Sequence, residues 1–582
     1  MPARARVVNL LVGCALLAVL TAGCAARSDA DSSVPAAVPC DLVLRNGKIV
    51  TMNEAVPEAE AIGIRGDRIA AVGSNRQIQP CIASSTEIID LRGALAVPGF
   101  IEGHGHFLGI GEFKQNLDLT KAKSWEEIVF KVRERVRQIQ PRKWIIGWGW
   151  HQEKWDKPPI PNVQGFPVHQ ALSAVSPENP VLLIHASGHA SLANARAMEL
   201  SGVTKATPDP AGGEIIRDLN GNPTGVFRET AQRLITRNAR DHKTRRQQEA
   251  DRRRWAALAQ EESLAKGITS FQDASSSFED IELYRRLISE GALRIRLWVM
   301  VRESNERIRR LLPAYKVRGF GDHRLTVAAI KKTMDGALGS RGAWLLEPYS
   351  DSPGQLGLNV DSIADITETA RLAAEYGVQL CVHAIGDRAN RETLNIFETA
   401  FRAHPEKKDW RWRVEHVSVL HPDDIPRFAR LGVIASMQGY FCPSDAPYVL
   451  ARLGAKRCER GVYIWQKLLR SGALIVNGSD APVEDVSPIL GFYASVTRRA
   501  PDGSVFYPDQ RMTRLQALRS YTLDAATAAF EEGIKGSLTP GKLADISVLS
   551  RNILTVPQDE IPSTQVLYTI VGGKVLYRNN RI

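Results

Sequence analysis

His104 and His106 stand two apart at the end of an apolar run, in Pro98-Gly-Phe-Ile-Glu-Gly-His-Gly-His-Phe. On an extended backbone, residues i and i+2 project to the same side. Two imidazoles on one side can grip one metal ion. Alone, such a pair recurs by chance. Three further residues close apolar runs far along the chain: His383 in Val382-His-Ala, His416 in Glu415-His-Val and Asp480 in Gly478-Ser-Asp-Ala. Any one of these histidines would read as an ordinary polar residue at a strand end. Four histidines and an aspartate in matching places do not. Imidazole and carboxylate are the donors of zinc and related divalent ions. The chemistry such a centre offers is hydrolysis, because the ion lowers the pKa of a water towards about 7.

Bringing these residues together requires a scaffold whose strand ends converge. Residues 97–535 alternate strand-like and helix-like segments, as parallel βα units do. Eight candidate strands cover 96–102, 268–273, 293–301, 325–331, 378–383, 411–415, 432–437 and 473–476. Eight such units predict an α/β fold, a (β/α)₈ TIM barrel, whose functional groups gather at the C-terminal strand ends. Each candidate ligand falls there. The long excess after the first strand, with a Trp-rich stretch 144–155 and a Gly-rich stretch 211–225, predicts an inserted subdomain at about 120–235 over the barrel mouth. Both ends of the chain are β-rich. Asn46-Gly47 marks a hairpin, and 61–72 and 544–577 repeat the pattern. Residues 40–96 and 536–582 thus predict one composite β-sandwich.

The 582 residues are 44% hydrophobic and 24% charged, which excludes global disorder. The net charge of +11 is scattered, and the Arg-rich run 237–254 reads as a solvated helix. No basic stripe is interleaved with aromatics, so no nucleic-acid partner is expected. At the N-terminus, Arg4 and Arg6 precede an apolar run 7–20 that ends in Thr21-Ala-Gly-Cys24. This predicts a signal peptide over 1–23, with an apolar run too short to span a membrane. Small residues before Cys24 resemble a bacterial lipobox, although Thr21 stands where Leu is usual. Cys24 is then a lipidation site, and 24–39 is a tether. The expected location is a bacterial membrane, facing the periplasm or the exterior. Export leaves a Cys40–Cys81 disulfide open, with Cys442–Cys458 a weaker pair and Cys381 a core residue.

The chain resembles the amidohydrolase superfamily, in its amidohydrolase-3, YtcJ-like branch, which includes N-substituted formamide deformylases. The resemblance covers about 40–578. It is carried by PGFIEGHGHF, IIGWGWHQEKW, ASGHASLANARAM, GNPTGVFRE, IKKTMDGALGSR, VHAIGDRAN, RVEHVSVL, NGSDAPV and GSLTPGKLADISVL. It implies that His104 and His106 hold the more buried metal and that His383 and His416 hold a second. Asp480 would touch the first metal and act as general acid/base. A lysine of the fourth strand, carboxylated, would bridge the two. Lys331 is the matching position, and Lys332 beside it leaves open which lysine faces the metals. An ammonium repels a cation, whereas a carbamate offers it two anionic oxygens.

The resemblance further implies zinc, one ion or two, and a small-molecule substrate with an amide or cyclic amide C–N bond. His416 would help the metal to stabilise the oxyanion. Isomerase chemistry, lactone or ester hydrolysis, and an inactive binding lipoprotein are the alternatives. A homodimer is compatible with the sequence. His189, Arg341 and Trp150 are the weaker candidates for substrate contact, and Trp148 and Trp155 could roof the pocket or belong to a core. The chain departs from the family pattern in three places. Glu102 stands where Asp is usual, Lys332-Thr333 replaces an apolar pair, and Met437-Gln-Gly-Tyr-Phe lacks the Pro and His that often follow the Gln. The last departure predicts a specificity of its own.

Overall fold

The computed structural model describes residues 38–241 and 243–580. The predicted leader, Cys24 and nearly all of the tether lie outside the described residues. Eight strands form the barrel: β1 (Phe100–Gly105), β2 (Ile268–Ser276), β3 (Arg296–Val301), β4 (Leu325–Thr333), β5 (Gln379–Ala384), β6 (Arg413–His416), β7 (Ile434–Gln438) and β8 (Ile475–Gly478). Each pairs in parallel with the next. β3 and β5 are buried at every position, as strands covered on both faces must be. Their sequences, RLWVMV and QLCVHA, accordingly show no polar alternation. Helices are delimited by local signals. Helix Ile363–Tyr376 starts on the Ser362 side chain and stops at Gly377, whose φ of 61° is left-handed.

Backbone bonds just above the strands close the seam between β8 and β1. Asp480 N donates to His104 O at 2.7 Å, and His106 N donates to Ala481 O at 2.8 Å. Glycine makes this approach feasible. A Cβ on Gly103 would sit 2.3 Å from Asn477 O, and one on Gly478 would sit 2.5 Å from His104 N. The seam therefore brings the His104-Gly-His106 segment against Asp480.

The first barrel strand is not where the sequence reading puts it. Leu95–Pro98 belongs to a second sheet, antiparallel to Ile546–Leu549 and parallel to Lys48–Val50. Gly99 makes the switch, with its N–H on Asp545 O and a missing Cβ that would meet Thr269 at 2.3 Å. Two consecutive buried apolar strands look like one in a sequence, whichever sheets they serve.

That second sheet has six strands and mixes both chain ends: Lys574–Arg578, Val566–Val571, Ile546–Leu549, Leu95–Pro98, Lys48–Val50 and Glu58–Ala59. A four-stranded sheet of N-terminal strands shares its apolar core, through Leu44, Ile62, Ile546 and Ile570 among others. Arg296 in β3 ties this unit to the barrel through a buried bidentate pair with Asp545, at 2.7 and 2.9 Å. All five described cysteines are free. Cys40 N donates to Cys81 O at 2.8 Å, and the two thiols are hydrogen-bonded neighbours without being joined.

Between β1 and β2 the chain builds a separate six-stranded sheet that includes Ile145–Trp150, Val181–His185, Ala190–Ala193 and Pro223–Glu229. Trp125, Ile128, Trp150 and Leu183 give it its own core. The Arg-rich run is two helices, Arg233–Asp241 and Arg245–Ala265, the second started by a Thr244 capping box.

Candidate metal centre

Each proposed ligand rises at a strand end. His104 lies in β1 and His106 just beyond it; Lys331 lies in β4, His383 in β5 and His416 at the end of β6; Asp480 follows β8. His104, His106 and Asp480 present ligand atoms that all lie within 4.8 Å of one another. Asp480 Oδ1 is 3.0 Å from His106 Nε2 and 3.5 Å from His104 Nε2. Lys331 Nζ is 3.4 Å from His104 Nε2. The His416 ring centroid is 4.8 Å from that of His104 and 4.4 Å from that of His383. His416 and Asp480 hold left-handed backbones, φ 78° and 56°, the kind of strain that persists where the surroundings fix a functional residue. Lys332 points away, with Nζ 2.6 Å from Asp365 Oδ2 outside the barrel. Strand alternation lets only one of the adjacent lysines face inward, and the register makes it Lys331.

Each ring is aimed by its other nitrogen. His104 Nδ1 meets Glu415 Oε2 at 2.5 Å, His106 Nδ1 meets Ser275 Oγ at 2.8 Å, and His416 Nδ1 meets Gln438 Oε1 at 2.8 Å. Nε2 of all three is left for the centre. His383 is reversed: its Nε2 lies 3.4 Å from Gly336 O, which leaves Nδ1. Arg413 pairs with Glu415 in turn, and neither is exposed. Sequence reasoning missed Glu415, Ser275 and Gln438. Only Glu415 carried a signal, the alternation Arg413-Val-Glu415 in a buried strand, where charges need a reason. Two further carboxylates brace the site. Glu102 accepts from Ser479 N at 2.7 Å and His104 N at 3.1 Å. Asp335 accepts from Trp344 N, Ile385 N and Gly386 N at 2.8–2.9 Å. Burial pushes both up to about 8.

Burial holds the imidazoles neutral, His104 at about 4 and His416 at about 3, with His383 also well below its ordinary value. A neutral imidazole is the form that binds a metal. Burial opposes ionisation of Asp480, but the His106 ring beside it outweighs this and keeps its carboxyl far below the usual range. Its Oδ1 is buried without an aligned hydrogen bond. Two imidazole nitrogens facing one unsatisfied carboxylate oxygen fit a divalent cation. Burial also lowers Lys331 to about 8.

A cavity opens above the centre, bordered by Asp480, His383, His189, Phe441, Leu338 and Lys154 among others. Phe441 lies parallel to the His416 ring at 6.0 Å, in the segment that departs from the family pattern. His189 Nδ1 is 2.7 Å from Glu229 Oε2. Burial would lower His189, but the Glu229 charge outweighs it and raises it above its ordinary value.

Two expected substrate contacts are corrected. Trp150 is 1% exposed, its indole N–H is spent on Leu183 O at 2.9 Å, and it packs inside the inserted subdomain. Arg341 is turned to Asp351 at 3.0 Å and Gln164 O at 3.2 Å. Neither borders the cavity, and neither do Trp148 and Trp155. Trp155 instead packs against Trp125 and Trp150.

Comparison with known proteins agrees with this geometry. The sequence pattern of the amidohydrolase family matches residues 87–577. Protein LONG AFTER FAR-RED 3 of Arabidopsis thaliana is 33% identical, over 93% of this chain and 92% of that protein. N-substituted formamide deformylase of Arthrobacter pascens is 28% identical, over 92% of this chain and 98% of that protein. The crystal structure of an uncharacterized metal-dependent hydrolase from Pyrococcus horikoshii OT3 aligns with a TM-score of 0.70 at 27% identity, covering 89% of this chain and 99% of that one. The chain is a metal-dependent hydrolase and belongs to the amidohydrolase family.

Proposed function

We propose that the protein hydrolyses the C–N bond of an amide or cyclic amide, with zinc at the centre. The observation that carries this reading is the convergence of His104, His106 and Asp480 beneath an open cavity. Similarity to an N-substituted formamide deformylase over 92% of the chain supports the choice of bond. A divalent cation held by these residues supplies Lewis acidity and lowers the pKa of a water to about 7. His383 Nδ1 and His416 Nε2 would hold a second ion. Lys331, carboxylated on Nζ, would bridge the two and offer them an anion in place of a buried ammonium.

The residues themselves divide the remaining work. Asp480 faces the cavity as a carboxylate, receives the proton lost by the attacking water and returns it to the departing nitrogen. The water oxygen bonds to the carbonyl carbon as the C=O π pair moves onto oxygen, and the carbonyl re-forms as the C–N bond breaks. His416 donates Nδ1–H to Gln438 Oε1, which leaves Nε2 a lone-pair nitrogen for the centre, and the bound cation would stabilise the developing oxyanion. Phe441 and Leu338 give this edge of the site an apolar lining.

The test is a screen of zinc-loaded protein against N-formyl, N-acyl and cyclic amides, with Asp480→Asn as control. Amide turnover that disappears in Asp480→Asn supports the reading. Turnover confined to lactones or esters, or isomerisation without hydrolysis, contradicts it.

A further inference from the structure

The four-stranded sheet near the start of the described chain carries two thiols side by side. Its strand Leu42–Arg45 runs antiparallel to Ala61–Arg65 and parallel to Glu87–Asp90. Cys40 leads into that strand, and Cys81 ends the short helical turn Gln79–Cys81. Cys40 N donates to Cys81 O at 2.8 Å. Main chains joined by such a bond stand about 5–6 Å apart at Cα, within the span a disulfide bridges. Two further bonds pin the turn to the strand. Thr86 Oγ1 donates to Cys40 O at 2.7 Å, and Ala83 N donates to Thr86 Oγ1 at 2.9 Å.

The side chains converge as well. Both lie over Gly63, whose missing Cβ would sit 2.7 Å from Cys40 Sγ and 3.8 Å from Cys81 Cβ. A larger residue at 63 would crowd the place the Cys40 sulfur takes. The two thiols are hydrogen-bonded. Cys40 is 2% exposed, and Cys81 is half-buried. Burial, and then the neighbouring Cys81, push the Cys40 thiol up to about 11. This flank of the sheet has a core of only Cys40, Val43, Ala61 and Ile78. A core so small is where a cross-link contributes most. The other three described cysteines are buried elsewhere, Cys381 in β5 and Cys442 and Cys458 in helix Phe441–Gly461.

We propose that Cys40 and Cys81 form a disulfide that staples the turn to the strand, made by exchange with an external disulfide. Cys81, the more accessible thiol, loses its proton and attacks the external disulfide, whose S–S bond breaks to release one thiolate. Cys40 then loses its proton, attacks the Cys81 sulfur of the mixed disulfide and expels the second thiolate. The two protons end on the two thiols released. Cys40 and Cys81 are oxidised, and the external disulfide is reduced. The new bond closes a loop over 41–80, which restricts the unfolded chain more than the folded one. Neither thiol borders the cavity, so the staple is independent of the catalytic reading.

The test uses the full-length protein, purified reduced and then held with oxidised glutathione. Free thiols are trapped with an alkylating agent, and a digest made without reductant is read by mass spectrometry. One pair of peptides linked through Cys40 and Cys81 should appear and should separate on reduction. The link should persist with reduced glutathione in about tenfold excess over oxidised. The oxidised protein should unfold at a higher guanidinium concentration than the reduced protein, and that difference should vanish in Cys81→Ser.

Cys40 and Cys81 recovered alkylated, or each capped by glutathione, would overturn the proposal. So would a link that is lost at the tenfold ratio, or one that leaves the unfolding midpoint unchanged.

Discussion

Replacing Glu415 by glutamine isolates the support behind His104. The carboxylate Oε2 takes His104 Nδ1 at 2.5 Å and an Arg413 Nη2 donor at 3.1 Å, and Oε1 lies 2.8 Å from Arg413 Nε. Glutamine has nearly the same volume but only one acceptor oxygen. If its oxygen stays on the His104 side, its NH₂ meets the Arg413 Nε–H. If it flips, the NH₂ meets the His104 Nδ1–H. Either way two donors face each other in a fully buried place, which costs about 1–3 kcal/mol. Arg413 keeps Gly103 O at 2.6 Å and Ser436 Oγ at 2.8 Å, so the fold should survive. The cost falls on the aim and basicity of His104, and support of this kind is worth about 10- to 100-fold in metal affinity. Zinc affinity is measured by competition with a chromogenic chelator, and folding by circular dichroism. A folded Glu415→Gln protein with zinc affinity within twofold of the original would refute the reasoning.

Three other outcomes are expected. Asp545→Asn strands Arg296 between barrel and sandwich and should cost about 3–5 kcal/mol in denaturant unfolding at neutral pH. Burial opposes ionisation of Asp545, but Arg296 wins and keeps its carboxyl below the ordinary range. The stabilisation is thus complete above the unfolded pKa of about 4 and drains away as pH falls below it. The Asn variant should lack that acid-dependent component, and identical acid profiles for both proteins would contradict the pair. Lys331→Ala should lose metal, as counted by mass spectrometry, and regain some with added short carboxylic acids; retention of two ions without Lys331 would exclude the bridge. We also propose lipid anchoring at Cys24, so cells should incorporate labelled palmitate into the unaltered protein and not into Cys24→Ser; equal labelling would contradict it.

The barrel was legible because parallel βα units leave apolar runs separated by amphipathic helices, and a ligand at the end of several of those runs stands out. Sheet membership was not. Leu95–Pro98 and β1 are both apolar, and only the close approach at Gly99 separates them. Lys331 and Lys332 are equivalent in a sequence, since register alone decides which one faces in. The residues that aim the rings come from other strands, far along the chain: Glu415 acts on a residue 311 positions away and Ser275 on one 169 away. The Trp-rich stretch offered a pocket roof or a core, and a β-bulge between Trp148 and Trp150 turns Trp150 into the core of its own subdomain. The aromatic signal was real, but it reported a second hydrophobic core.

The most direct test is anomalous diffraction at the zinc edge from crystals of the zinc-loaded protein. The account predicts a peak about 2.0–2.2 Å from His104 Nε2, His106 Nε2 and an Asp480 oxygen. Zinc bound elsewhere, with those three side chains turned from any shared ion, would contradict it.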